Sequence, residues 1–151
     1  MIKFSRITRD YPDAVLNKLL ELHKQLELQE KEVSEKSGFN VLEHFTGYYE
    51  TVDSCLENIV YGVFVDGALS GFISGYTSTG NVSPILHVCL LFIEEEHRRK
   101  GYAKELYNQL KSEVGDIEYV TLVVYNGNHD ALRFYKSIGF TPYASFLGAK
   151  P

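Results

Sequence analysis

Residues 85–104 read ILHVCLLFIEEEHRRKGYAK, and their order decides the fold. The apolar, branched run from Ile85 to Ile93 predicts a strand. Three acids and a histidine follow, then three adjacent cations, Arg98, Arg99 and Lys100, and a lone glycine, Gly101. Like charges beside a glycine suit the interior of neither helix nor strand, so residues 94–101 predict a loop. Beyond it Ala103, Leu106, Tyr107 and Leu110 fall at offsets of 0, 3, 4 and 7, which marks an amphipathic helix. Strand, polar loop and helix start in this order describe an anion site. The first N–H groups of a helix have no intrahelical acceptor, and the dipole adds partial positive charge there. Gly101 can adopt a conformation denied to other residues and lets the chain approach a bulky ligand. A phosphate or pyrophosphate fits such an assembly. Charge runs are also ordinary solvated surface, and on this stretch alone the two readings stand level.

The rest of the chain frames that segment. Upstream, IKFSRI (residues 2–7) alternates as a strand, and Leu16, Leu19, Leu20, His23 and Leu26 predict a helix over 13–30. A polar stretch precedes a second helical pattern over 40–57, carried by Val41, Phe45, Tyr48, Tyr49, Val52 and Leu56. Residues 58–78, NIVYGVFVDGALSGFISGYTS, hold two strands joined at Asp66-Gly67, a two-residue hairpin signal. Downstream, EYVTLVVY (118–125) predicts a strand covered on both faces. Asn126-Gly127 would suit a hairpin, yet Ala131, Phe134, Tyr135 and Ile138 repeat the helical offsets. The segment therefore predicts a helix capped by Asn128 and ended at Gly139, with a final strand from Phe140 to about Leu147. The order is β-α-α-β-β-β-α-β-α-β, a mixed α/β (α+β) arrangement in one domain over 1–151.

Bulk properties exclude several classes. With 151 residues, 44% hydrophobic and 23% charged, the chain matches ordinary globular usage. No apolar run reaches the roughly 18 residues that span a bilayer, and MIKFSRITRDYPD lacks the layout of a signal peptide. A cytoplasmic protein with no membrane partner is the expectation. Cys55 and Cys89 and the five scattered histidines form no zinc-type spacing, so no metal is expected. A net charge of −5 and the absence of a wider basic stripe argue against nucleic acid. No GxxxxGK[ST] loop exists, and a dinucleotide fingerprint needs glycines after the first strand rather than one late in the chain.

Two motifs in order carry a family resemblance. RRKGYA (Arg98 to Ala103) resembles the R/Q-x-x-G-x-G/A signature of the GNAT superfamily of N-acetyltransferases. NHDALRFYKSIGF (Asn128 to Phe140) resembles that family's second segment, N-x-x-A-x-x-x-Y-x-x-x-G-F. One helix and one strand fill the interval, as in the family. The likeness is specific over 85–140 and topological over 1–84. Ala103 stands where many members have Gly, a common exchange.

The resemblance implies a mixed, mostly antiparallel sheet flanked by helices, with acetyl-CoA as co-substrate. It implies that backbone amides from Arg98 or Arg99 through Lys100, Gly101, Tyr102, Ala103 and Lys104 cradle the pyrophosphate. Leu91, Phe92 and Ile93 would pair with the pantetheine amides, Asn128 would bond the pantetheine arm, and Tyr135 would lie near the thioester sulfur. It also implies that such a chain can form a homodimer. The reaction expected is direct transfer of acetyl to a primary amine of a small molecule or peptide. A non-catalytic acyl-CoA-binding sensor or partner module with the same fold is the alternative.

Transfer to an amine needs an unprotonated nucleophile, a stabilised oxyanion and a protonated or stabilised leaving thiolate. Tyr135 carries a phenol able to protonate sulfur, although its spacing also suits a core aromatic. His87, six residues before Ile93 on the strand leading to the site, is the candidate base. Imidazole ordinarily titrates near neutral pH, though a strand histidine with a structural hydrogen bond would look the same. Cys89 has no evident paired base, which argues against an acetyl-cysteine intermediate. Glu94, Glu95 and Glu96 read chiefly as a solvated connection. The family layout places the acceptor walls around His44, Tyr48, Tyr49, Gly38 and Thr77–Ser83.

Overall fold

The computed structural model describes residues 1–38, 49–79, 84–149 and 151. Five strands form one sheet in chain order: β1 (Ile2–Arg6), β2 (Ile59–Val65), β3 (Ala68–Thr79), β4 (Pro84–Ile93) and β5 (Tyr119–Thr121). The first three pairings are antiparallel and β4–β5 is parallel. At the predicted hairpin Asp66 and Gly67 take φ of 51° and 85°, the left-handed pair that a two-residue turn of matching twist requires. A parallel pair cannot be closed by a tight turn, so the chain crosses through helix α3 (Tyr102–Val114) before β5. The architecture is therefore the mixed, mostly antiparallel α/β sheet expected.

Helices on opposite faces make two apolar cores. Helix α1 (Asp13–Lys36) buries Leu16, Leu19, Leu22 and Leu26 against Val60, Phe64, Phe72 and Phe92. Helix α3 buries Leu106, Tyr107 and Leu110 against Val63, Ile73, Leu86, Val88 and Ile93. Each leucine taken fully from water contributes about 1.5–3 kcal/mol. His23 is part of the first core: its Nδ1 lies 2.8 Å from the Leu19 carbonyl and its ring stacks on Phe72 at 4.1 Å. Burial pushes this imidazole down to about 4, so it is neutral at physiological pH.

Four expectations need correction. The first helix runs to Lys36, beyond the predicted 30, because its inward stripe continues past Leu26. The helix expected over 40–57 is not continuous. Residues 39–48 lie outside the described residues, and Thr51 is extended (φ −128°, ψ 157°), capping a separate turn α2 (Val52–Cys55) through Ser54. A side-chain cap here competes with helix continuation. Strand β5 has only three residues and lies at the sheet edge, with Tyr119 exposed, rather than being covered on both faces. Residues 141–149 form no strand. Tyr143, Phe146 and Leu147 are exposed, since a strand needs a ladder neighbour and local alternation cannot supply one.

Candidate active site

The sheet opens where β4 leaves β5. Among the described residues β5 pairs with β4 only over Ile85–His87, while β4 continues to Ile93 hydrogen-bonded to β3 alone. Its other edge from Val88 to Ile93 therefore has no strand partner among the described residues. The register with β3 jumps here, Ser74 opposing Leu90 and Gly75 opposing Val88, so Cys89 is an extra, bulged residue. The bulge reverses the side-chain parity. Leu86 and Val88 pack on the α3 side before it, Leu91 and Ile93 after it, and Leu90 and Phe92 join the α1 side. An exposed strand edge beside a bulge can accept an extended amide-bearing chain as one more strand.

The loop at the far end of β4 is a backbone cradle. A 3₁₀ turn (Glu95–His97) leads to Arg99 with φ 61° and Gly101 with φ 83°, two left-handed residues separated by one. Positive φ is costly for Arg, and strain of this kind concentrates where backbone groups must point at a ligand. Gly101 is the N-cap of α3, and its carbonyl accepts the first helical bond from Glu105 at 3.2 Å. The amides of Tyr102, Ala103 and Lys104 precede that bond and have no intrahelical acceptor. A Cβ at Gly101 would meet nothing within 4 Å beyond its chain neighbours, so the positive φ, not crowding, is what restricts this position.

Arg98 is more than a solvated surface charge. Its Nε donates to the Ile93 carbonyl at 2.7 Å, its guanidinium donates to Gln29 Oε1 at 3.1 Å, and it lies over the Phe92 ring. Its backbone N–H donates to Glu95 O, so the free part of the cradle begins at Arg99. Arg98 thus straps the end of β4 to α1. Arg98→Met is expected to cost about 1–2 kcal/mol in urea unfolding, the lower range for hydrogen bonds from a partly solvated charge.

Helix α4 (His129–Ser137) follows β5. Asn128 caps it as predicted, Oδ1 accepting from the Ala131 amide at 3.1 Å. The Asn126-Gly127 turn docks on α1, where the Gly127 amide donates to Ser37 Oγ at 2.8 Å. A Cβ there would sit 2.7 Å from that oxygen and 3.0 Å from the Val33 carbonyl, so the approach is close. Tyr135 is half-buried, with its ring edge-on to Phe134 and Phe140. Burial first, and then the charge of Glu30 on α1, hold its phenol far above the ordinary range, so it stays protonated.

The other candidates divide. His87 sits before the bulge, its Nδ1 2.6 Å from Thr121 Oγ1, its Nε2 3.1 Å from Ser78 Oγ and its ring stacked on Tyr76. By strand alternation it lies opposite Leu86, on the α1 side. Burial raises the Cys89 thiol, which disfavours a thiolate nucleophile. Glu94 pairs with Lys18 at 3.2 Å. Ligand atoms of Glu94, Glu96 and His97 come within 4.8 Å of one another, but that salt bridge already engages the first. Of the expected acceptor walls, residues 39–48 and 80–83 lie outside the described residues. The structure thus leads the open edge of β4 directly into the cradle at the start of α3, and Ile138 and Phe140 beyond α4 pack on the α3-side core. Sequence reasoning missed Ser78 and Thr121 as partners of His87, the role of Arg98, and Glu30, whose only signal is its place four residues after Leu26.

Comparisons with known proteins agree with this fold. The model of the acetyltransferase (GNAT) family matches residues 16–140. No curated protein is significantly similar to the chain in sequence. Among solved structures, an aminoglycoside N-acetyltransferase, AAC(6')-Iy, in complex with CoA superposes with a TM-score of 0.68 at 15% identity, covering 100% of this chain and 95% of the other. A ribosomal-protein-alanine N-acetyltransferase from Brucella melitensis biovar Abortus 2308 gives 0.69 at 17% identity and 100% of both chains. The putative acetyltransferase YycN from Bacillus subtilis gives 0.70 at 16%, covering 100% of this chain and 99% of the other. At these identities the structures speak for the fold.

Proposed function

This chain belongs to the GNAT acetyltransferase family, and from that premise we propose that it moves an acetyl group directly from acetyl-CoA to a primary amine of a small molecule or peptide. The observation that carries the reading is the edge of β4, left without a strand partner from Val88 to Ile93 among the described residues, which runs straight into the free amides at the start of α3. Those residues fit the co-substrate. The pyrophosphate would rest on the amides from Arg99 to Lys104, with Arg99 and Lys100 as solvated cations. The pantetheine amides would pair along Leu91–Ile93, and Asn128 would bond the arm.

Chemistry follows from where charge appears. Attack of the amine on the thioester carbonyl builds an oxyanion, which backbone N–H groups of the β4 edge can stabilise. Collapse breaks the C–S bond, and the Tyr135 phenol supplies the proton to sulfur. His87 would accept a proton from the nucleophile once one of its two hydroxyl partners rotates away. His87→Ala is expected to lower kcat by about 100-fold and to flatten the acidic limb of its pH profile. A kcat profile of unchanged shape removes His87 from the mechanism.

The engagement of both His87 nitrogens favours one competing reading, a non-catalytic acyl-CoA-binding module. Release of free thiol from acetyl-CoA, followed with aminoglycosides, polyamines, amino acids and peptides, separates the two. At least one amine should raise turnover well above hydrolysis. Binding of CoA compounds with no such stimulation establishes the module instead.

A further inference from the structure

Among the described residues, His87 is the last residue of β4 with a strand partner on both sides. Its register neighbours are Tyr76 on β3 and Thr121 on β5, and Thr121 ends the parallel ladder. Opposed residues on neighbouring strands share a face, as do residues two apart on one strand. Tyr76, Ser78, His87 and Thr121 therefore form a row across three strands, at the point where the edge of β4 opens.

The row holds His87 firmly. A Cβ on Gly75 would lie 2.7 Å from the His87 carbonyl, so β3 packs against β4 more closely than a side chain there allows. Tyr76 stacks on the imidazole with 4.9 Å between centroids, Thr121 Oγ1 lies 2.6 Å from Nδ1, and Ser78 Oγ lies 3.1 Å from Nε2. A neutral imidazole has one N–H and one lone pair, and a hydroxyl can serve either, so the two bonds fit either tautomer. The two hydroxyls are not equivalent, however. Thr121 is β-branched and stiff at χ1, its ladder places it directly opposite His87, and its contact is the shorter. Ser78 is unbranched, pairs with Ile85 rather than His87, and stands one residue from the end of β3.

We infer that Thr121 is a positioning residue that accepts the Nδ1 proton of His87 and so keeps the lone pair on Nε2, and that Ser78 is the partner that gives way to the acceptor amine. The inference rests on the amine-acetyltransferase reading above, with His87 as its base. At rest the Ser78 O–H donates to Nε2. In the reaction that hydroxyl turns aside, and Nε2 takes one proton from the nucleophile, whose electron pair stays on nitrogen. The Nδ1 proton does not move, so the ring becomes an imidazolium that still donates to Thr121. That cation lies against the Tyr76 ring, which attracts it. Thr121 touches no reacting atom.

The first test needs no turnover. In protein labelled with ¹⁵N-histidine, the lone-pair nitrogen of a neutral imidazole resonates far downfield of the N–H nitrogen, and His87→Ala assigns the signal. His23 is the standard within the same molecule, because its Nδ1 faces the Leu19 carbonyl, which can only accept. At pH 8 His87 should show the Nδ1–H pattern of His23, and Thr121→Val should lose it.

The second test is kinetic, with an amine that the wild type acetylates. Thr121→Val leaves Nδ1–H without its partner and should lower kcat by about 10–30-fold. KM should change by less than about threefold. Thr121→Ser should restore most of the rate, a rescue that a packing role for the threonine methyl would not give. Ser78→Ala should raise kcat by about threefold, since one neutral hydrogen bond no longer has to break. An Nε2–H tautomer in the wild type, a wild-type kcat in Thr121→Val, or a lowered kcat in Ser78→Ala overturns the inference while amine acetylation stands. If no amine raises thiol release above hydrolysis, the enzyme reading itself fails and takes the inference with it.

Discussion

Gly101→Val is expected to weaken acetyl-CoA binding by about 30–100-fold while the chain stays folded. Gly101 sits at φ 83°, where a β-branched residue costs about 1–2 kcal/mol or more, so the loop will relax toward negative φ. That rotation turns the amides of Tyr102, Ala103 and Lys104 away from a common point. The new side chain also projects into the open space in front of α3, where no protein atom lies within 4 Å. Both effects fall on the cradle, and a loss of about 2–3 kcal/mol corresponds to the fold-change given. Arg99→Ala should cost only about 3–10-fold, because an exposed cation is screened and the amides remain. Calorimetric titration with acetyl-CoA, with Tm as the control for folding, measures both. The reverse ranking would show that side-chain charge holds the pyrophosphate.

Tyr135→Phe should lower kcat by about 100–1000-fold and change acetyl-CoA affinity by less than about threefold. The substitution removes one hydroxyl and keeps the ring against Phe134 and Phe140. That hydroxyl makes no hydrogen bond among the described residues, so folding loses little. On the mechanism proposed, what is lost is the proton for the departing thiolate, within the range general-acid catalysis supplies. Because burial keeps the phenol protonated, the wild-type enzyme should show no loss of this acid between pH 6 and 9. A single-turnover measurement isolates the chemical step from product release. Unchanged single-turnover rates would remove Tyr135 from the chemistry.

Much of this fold was legible locally. The Asp66-Gly67 turn, the Asn128 cap and the helix after Gly101 are set by residues within four positions of one another, so motif and periodicity suffice. The left-handed glycine at the helix start was legible for the same reason. The bulge at Cys89 was not, because it exists only as a register jump against β3. Nor was the role of Arg98, which reads as one of three solvated cations and becomes a strap only when Gln29 arrives from α1. The segment after Phe140 shows the limit from the other side: its strand-like alternation finds no neighbour.

By itself the sequence determined the order of most elements as far as α4, the helix that starts after Gly101 and the two motifs of the family. These depend on backbone preference and side-chain spacing along one segment, which short-range sterics and hydrogen bonding decide. Only the tertiary structure decided that β4 keeps an open edge and that His87 is held between Ser78 and Thr121. Each of those facts joins residues far apart in the chain. Pairing and packing partners are chosen by the whole fold's burial, and no local pattern records which segment will arrive.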